Sequence, residues 1–111
     1  MAYDHNLADR VRLVLQQHPE IIEKKMFSGG GYLLGGNLAC HVRDNDLIVR
    51  IGEAQNDTVL SQPFVRPFMV TPGKPMAGWI LVAPGGTDSD QEFRRWVNMG
   101  IQFASTLPLK K

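Results

Sequence analysis

Residues 38–51, Leu-Ala-Cys-His-Val-Arg-Asp-Asn-Asp-Leu-Ile-Val-Arg-Ile, are the stretch that decides the fold. Apolar residues recur on both sides of Asp44-Asn45-Asp46, a run of residues that favour turns. The pattern predicts two strands, Leu38–Val42 and Leu47–Ile51, joined by a tight turn. Since parallel strands need a long crossover between them, strands joined by so short a turn are antiparallel. The stretch therefore predicts a hairpin in an antiparallel sheet.

Strand-like segments continue on both sides of this hairpin. Upstream, we expect strands over Ile21–Phe27 and Tyr32–Leu34, with a break at Gly29-Gly30-Gly31 between them. Downstream, Met76–Ala83 predicts a strand that is buried on both faces or nearly so. Residues 63–75 contain four prolines, which favour a surface connection or an edge strand because proline lacks a ladder donor.

Helical periodicity marks three further segments. The spacing predicts a helix over residues 4–17, with Asp4 as its N-cap, and a short middle helix within Glu53–Gln62. Ser89 and Glu92 form a capping box that begins the last helix. The apolar stripe of that helix consists of Phe93, Trp96, Val97, Ile101 and Ala104. This order predicts an α+β fold, in which N-terminal, short middle and C-terminal helices form one layer and an antiparallel meander forms the other.

Composition excludes several classes of protein. A chain of 111 residues fits one domain, which we expect to span residues 1–111. Twelve Lys and Arg against eleven Asp and Glu leave a net charge of +1, so direct binding to nucleic acid is not expected. The N-terminus does not read as a signal peptide, and no apolar run is long enough to span a membrane. We therefore expect a cytoplasmic protein.

The residues that could carry chemistry do not form a catalytic pattern. Cys40 and His41 are adjacent on a strand, so their side chains point to opposite faces, and Cys40 is expected to be a buried structural thiol. The runs Gly29-Gly30-Gly31 and Gly35-Gly36 lack the spacing of a phosphate-binding loop, and hairpin turns explain them better. Turn propensity explains the pair Asp44 and Asp46. We expect no catalytic residue, no metal and no cofactor.

One face of the predicted sheet mixes basic and apolar side chains. If the aliphatic sides of the strands pack on the helices, the second face carries His41, Arg43, Arg50, Trp79 and Leu81. Tryptophan and arginine are enriched at binding hot spots, so this face favours a protein partner or self-association as a homodimer. In the alternative interpretation, Trp79 fills a second small core, and the arginines are solvated or paired with Asp44 and Asp46.

Motifs spread over most of the chain resemble the TfoX N-terminal-domain family. The similar blocks are Lys24-Lys25-Met26-Phe27 with Gly29, Gly36-Asn37-Leu38-Ala39, Leu47–Gly52, Gly73-Lys74-Pro75-Met76, Gly78-Trp79, Trp96-Val97 and Ala104. The resemblance implies an α+β domain similar to the secretion-chaperone-like class. The best-known members are cytoplasmic competence regulators of the Sxy/TfoX type. They act with a CRP-type transcription activator and usually carry a second, helical domain, which we expect to be missing from a chain of 111 residues.

Two functional interpretations follow. In the first, the chain is a non-enzymatic regulatory module that binds a protein partner, for which a transcription regulator is the expected class. Its interaction face includes the positions that match family motifs and also His41. These motif positions are Lys24, Lys25, Met26, Phe27, Arg50 and Trp79. In the alternative, a small-ligand or enzymatic domain uses an anion pocket around Arg50, His41 and the strand Lys24–Phe27, since arginine binds carboxylate and phosphate groups.

Overall fold

A computed structural model describes residues 5–26, 29–71 and 73–108. The helices are α1 (His5–Leu15), α2 (Asn56–Leu60) and α3 (Asp90–Ser105), with short 3-10 turns at Glu53–Gln55 and Pro84–Gly86. The strands are β1 (Ile21–Met26), β2 (Gly29–Leu34), β3 (Asn37–Arg43), β4 (Asp46–Arg50), β5 (Val65–Thr71) and β6 (Lys74–Val82). Helices at the N-terminus, in the middle and at the C-terminus accompany an antiparallel sheet, so the predicted α+β fold is confirmed.

The six strands form one sheet in the order β1-β2-β3-β4-β6-β5, and each pair of neighbours is antiparallel. The hairpin predicted from residues 38–51 lies at the centre as β3 and β4. The proline-rich segment contributes β5, which is an edge strand rather than a surface connection. Its pairing with β6 is irregular on both sides of Met69, and bulges of this kind are common at sheet edges.

The helical layer is held to the sheet mainly by α3. The Oγ of Ser89 accepts a hydrogen bond from the backbone N–H of Glu92 at 3.4 Å, which confirms the predicted start of this helix. All five residues of its predicted apolar stripe are buried: Phe93, Trp96, Val97, Ile101 and Ala104. They share one core with the sheet residues Val42, Leu47 and Val49. The opposite face of the sheet, which carries His41, Ile48 and Leu81, is turned away from this core and is called the open face.

Helix α1 is linked to both the helical layer and the sheet edge. It ends at Leu15, two residues before the predicted end, and the expected cap Asp4 lies outside the described residues. Arg12 donates hydrogen bonds to both carboxylate oxygens of Glu23 in β1, at 2.7 and 2.6 Å. The hydrogen bond from Arg12 lowers the pKa of Glu23. This contact fixes Glu23 on the helical side, so Ile22 and Lys24 lie on the open face.

Two local predictions were wrong. Gly29-Gly30-Gly31 does not break the sheet but forms the first half of β2, and none of these glycines has a positive φ. A Cβ atom on Gly29 would overlap the carbonyl oxygen of Val42, so the close approach of β3 selects glycine there. Strict alternation from the buried Cys40 predicts Leu38 on the helical side as well. The pairing of β2 with β3 skips Ala39, and this bulge turns Leu38 to the open face.

Candidate functional site

Strand pairing places the predicted face residues together. His41 pairs with Ile48, and Ile48 pairs with Leu81, so these three residues form a row across the open face. Arg50 pairs directly with Trp79 in the next open-face positions of β4 and β6. The prediction that these residues share one face is confirmed.

An apolar groove of about 210 Å³ lies on this face. The groove is lined by Leu38, His41, Arg43, Ile48, Phe68, Met76 and Trp79. The ring centroids of Phe68 and Trp79 lie 6.3 Å apart, within the range of favourable aromatic contacts. The sequence predicts that β6 is buried on both faces or nearly so. Met76 remains 37% exposed, so this prediction does not hold along the whole length of β6. The groove is therefore an accessible depression with aromatic and thioether walls.

Part of the groove agrees with the alternative interpretation, in which this face of the sheet contains a second small core. His41 is 2% exposed and Ile48 is 1% exposed, although both lie on the open face. Trp79, by contrast, is only half-buried. Among the residues that the structure describes, neither Arg43 nor Arg50 forms an ion pair with Asp44 or Asp46. The guanidinium carbon of Arg43 instead lies 5.3 Å from the ring centroid of Phe68.

Arg50 lies in a second depression next to the groove. This cleft measures about 360 Å³, and Trp79 lines both it and the groove. The other lining residues are Gly52, Glu53, Ala77, Gly78 and Phe103. The guanidinium carbon of Arg50 lies 5.2 Å from the ring centroid of Trp79 and 5.4 Å from that of Phe103. Cation–π contacts from the sheet and from α3 therefore hold Arg50 in place.

The structure separates Lys24–Met26, the described part of the predicted strand Lys24–Phe27, from Arg50. Strand β1 is the first strand of the sheet, and β4 is the fourth. Lys24 pairs with Gly31, which pairs with His41, so Lys24 lies on the open face, about 10 Å from His41 at ordinary strand spacing. Lys25 lies on the other face. No described residue of β1 lines the groove or the cleft.

The last two predicted interface positions are Met26 and Phe27. Met26 ends β1 and pairs with Gly29 through its backbone. Phe27 lies outside the described residues.

Among the aromatic and thioether side chains of the site, sequence reasoning missed Phe68, Met76 and Phe103. Phe68 stands in the segment where four prolines obscured the alternation of a strand. Phe103 is on α3 but outside the predicted apolar stripe, and its ring contacts Arg50 rather than the core. An aromatic residue just outside a helical stripe is the signal that could have indicated a second contact surface.

Cys40 is placed as predicted, inside the core. It is fully buried, and its burial raises the pKa of the thiol to about 12. Its partner across the sheet, Val49, belongs to the same apolar core. A neutral buried thiol is a poor nucleophile, because the thiolate is the reactive form.

The burial of Cys40 predicts slow labelling of the native protein by a thiol reagent. We expect labelling at pH 8 to be at least about a hundredfold slower in the folded chain than in urea, since the thiol must be exposed by an opening of the core. Absorbance with a disulfide reagent measures both rates, and the unfolded chain is the internal control. Equal rates would contradict the placement of Cys40.

The described residues contain no group of three or more His, Cys, Asp or Glu side chains that could hold a metal ion. Within the same ranges of the chain, no helix is long and apolar enough to cross a membrane.

Comparison with known proteins identifies the family of the chain. No curated protein and no solved structure matches it. The model of the TfoX N-terminal domain matches residues 14–104, which is most of the chain. The match includes all six strands, α2 and almost all of α3, and therefore both the groove and the Arg50 cleft. The chain belongs to the TfoX N-terminal domain family.

Proposed function

We propose that this chain is a non-enzymatic, competence-regulator-like module that binds a protein partner through the open face of its sheet. The family supports the regulatory role, and a transcription regulator is the class of partner that it suggests. The observation that carries the proposal is the apolar groove, in which Phe68, Met76 and Trp79 remain partly accessible beside arginines. Aromatic residues, methionine and arginine are the side chains enriched at protein interfaces.

The charges on this face favour a partner other than a second copy. The open-face positions include the basic residues Lys24, Arg43, Arg50 and Arg66 and the acidic residue Asp46, so basic side chains predominate there. In a two-fold dimer each copy would present the same patch to the other, so these charges would face one another. Like charges across an interface oppose association. We therefore propose a partner with acidic character as the main occupant of the open face.

Removing one aromatic wall of the groove is expected to release the partner. We predict that Phe68→Ala and Trp79→Ala each weaken binding at least about tenfold, since buried aromatic anchors are typical hot spots. The measurement is affinity capture from the lysate of the host cell, with quantitative mass spectrometry of the captured proteins. The expected result is one protein that the parent chain enriches and both variants lose.

Leu13→Ala is the matched control for this capture. Leu13 lies on α1 and is 63% exposed, so its replacement also removes an exposed apolar side chain, but from the helical layer. The control is expected to retain the partner, and circular dichroism checks that all variants are folded. Capture that survives both groove variants, or that Leu13→Ala abolishes alone, contradicts the proposal.

A further inference from the structure

We infer that the cleft beside Arg50 is a carboxylate-binding site that takes an aspartate or glutamate side chain of the partner. An apolar side chain next to that acidic residue enters the adjoining groove. The inference rests on the proposed function, because it names the chemistry of the partner on the same surface. It is carried by the state of the Arg50 guanidinium, the shape of the cleft and the charges around it.

Arg50 is positioned but has no acceptor. Its guanidinium has five N–H donors, and the two aromatic rings that contact it offer no oxygen. Within residues 5–26, 29–71 and 73–108, no ion pair or side-chain hydrogen bond satisfies them. Arg10, Arg12 and Arg95, by contrast, each have a carboxylate oxygen within 3.3 Å. A half-buried arginine in this state lacks a bidentate acceptor, and carboxylates are common acceptors of this kind.

The cleft is kept open by backbone rather than by side chains. Gly52 and Gly78 both line it, with φ angles of 88° and 86°. A Cβ atom on Gly52 would lie 2.5 Å from the Phe103 ring, so a larger residue there would displace that ring. The carbonyl oxygen of Gly78 accepts hydrogen bonds from the N–H groups of Ile51 and Gly52, and its own N–H donates to the Oδ1 of Asn56. These hydrogen bonds fix the backbone that forms the wall of the cleft. Little conformational entropy of this wall is therefore lost when a ligand binds.

Glu53 decides which anion fits best. This exposed carboxylate also lines the cleft, but it does not form an ion pair with Arg50. Its charge opposes a second anion, and a phosphate with about two negative charges is opposed more strongly than a carboxylate with one. The shared wall of Trp79 also places the cleft next to an apolar groove, which a free inorganic anion would not use. A carboxylate attached to an apolar chain satisfies both conditions.

Peptide display on the intact chain tests this inference without knowledge of the natural partner. A random peptide library is selected against the immobilised 111-residue protein over several rounds, and the enriched sequences are synthesised. We expect enriched peptides to carry Asp or Glu beside a large apolar residue. Fluorescence polarisation then gives the Kd of a labelled peptide for the parent and for each variant.

The variants separate the carboxylate contact from the apolar contact. Arg50→Gln is expected to raise the Kd at least about tenfold, and replacing the peptide's acidic residue by its amide is expected to do the same. Combining both changes should add little further loss, since they remove the same contact. Glu53→Gln is expected to lower the Kd, because it removes a repelling charge. Arg94→Gln is the control, since Arg94 is exposed on α3 and has no ion pair in the described ranges.

Each outcome of the selection is decisive. Peptides that lose affinity with Phe68→Ala but show no acidic preference and ignore Arg50→Gln overturn the carboxylate site and leave the proposed function intact. A library that yields no peptide sensitive to either Phe68→Ala or Arg50→Gln overturns both. Competition by inorganic phosphate more strongly than by acetate at equal concentration and ionic strength would assign the cleft to a free anion and contradict the inference.

Discussion

Gly100→Leu is expected to destabilise the protein by about 3 kcal/mol, although leucine is the better helix former. Gly100 lies where α3 packs closely on the sheet. A Cβ atom there would overlap the carbonyl oxygen of Ala39 and lie 3.1 Å from Cγ1 of Val49. A backbone carbonyl cannot rotate away as a side chain can, so the whole helix must move off β3 and β4. Thermal unfolding should show the midpoint lowered by about 10 °C.

The control for this substitution is Asn98→Leu on the same helix. Asn98 is exposed, so the change adds a good helix former without a collision and should alter stability by less than about 0.5 kcal/mol. If the two leucine variants melt at the same temperature, the close packing of α3 on β3 is wrong.

Trp96→Ala is expected to cost about 3–5 kcal/mol, because it empties the largest fully buried side chain of the core. Trp96 is 2% exposed and joins the core of α3 and the sheet. Its indole Nε1–H also donates to the carbonyl oxygen of Gly86 at 3.1 Å, which ties the turn before α3 to the helix. Urea unfolding followed by circular dichroism measures the loss. A loss of less than about 1 kcal/mol would contradict this packing.

Two further variants separate the contributions of this tryptophan. Trp96→Phe keeps an aromatic ring but leaves the Gly86 carbonyl without its donor, and it is expected to cost about 1–3 kcal/mol. Trp79→Ala removes the other tryptophan, which is half-buried on the open face, and it is expected to cost clearly less than Trp96→Ala. This difference matters for function, since a folded Trp79→Ala variant is needed for the capture experiment.

The central part of the fold was predictable because its signals are local. The alternation in residues 38–51 and the Asp44-Asn45-Asp46 turn define β3 and β4 without any knowledge of the rest of the chain. The capping box at Ser89 likewise defines the start of α3. Proline density identified β5 as a possible edge strand, because a missing backbone donor is a property of the residue itself.

The errors occurred where pairing between strands overrode the local pattern. The bulge at Ala39 depends on how β3 pairs with β2, and it moves Leu38 to the open face against strict alternation. The glycines at 29–31 resemble a turn but lie in β2, and at Gly29 a Cβ atom would overlap a carbonyl oxygen of β3. Distant contacts of this kind leave no periodic signal in one sequence.

The sequence predicted several residues of the central strands in the candidate site, but not the residues that β5 and α3 contribute to it. Alternation alone placed His41, Arg50 and Trp79 on one face, and the strand register confirms it. Phe103 could not be assigned to Arg50, because the contact joins a helix to a strand more than 50 positions away in the chain. The sequence also could not separate Lys24 from Arg50, since strand order decides that distance.

Methyl NMR of the methionines tests most directly whether partners dock on the open face. Met76 lines the groove on that face, whereas Met99 packs against the core of the helical layer from α3. With methyl-labelled methionine, a selected peptide or captured partner should shift and broaden the Met76 signal and leave that of Met99 unchanged. A saturating partner that shifts Met99 while Met76 stays in place would place the binding surface on the helices and contradict the account.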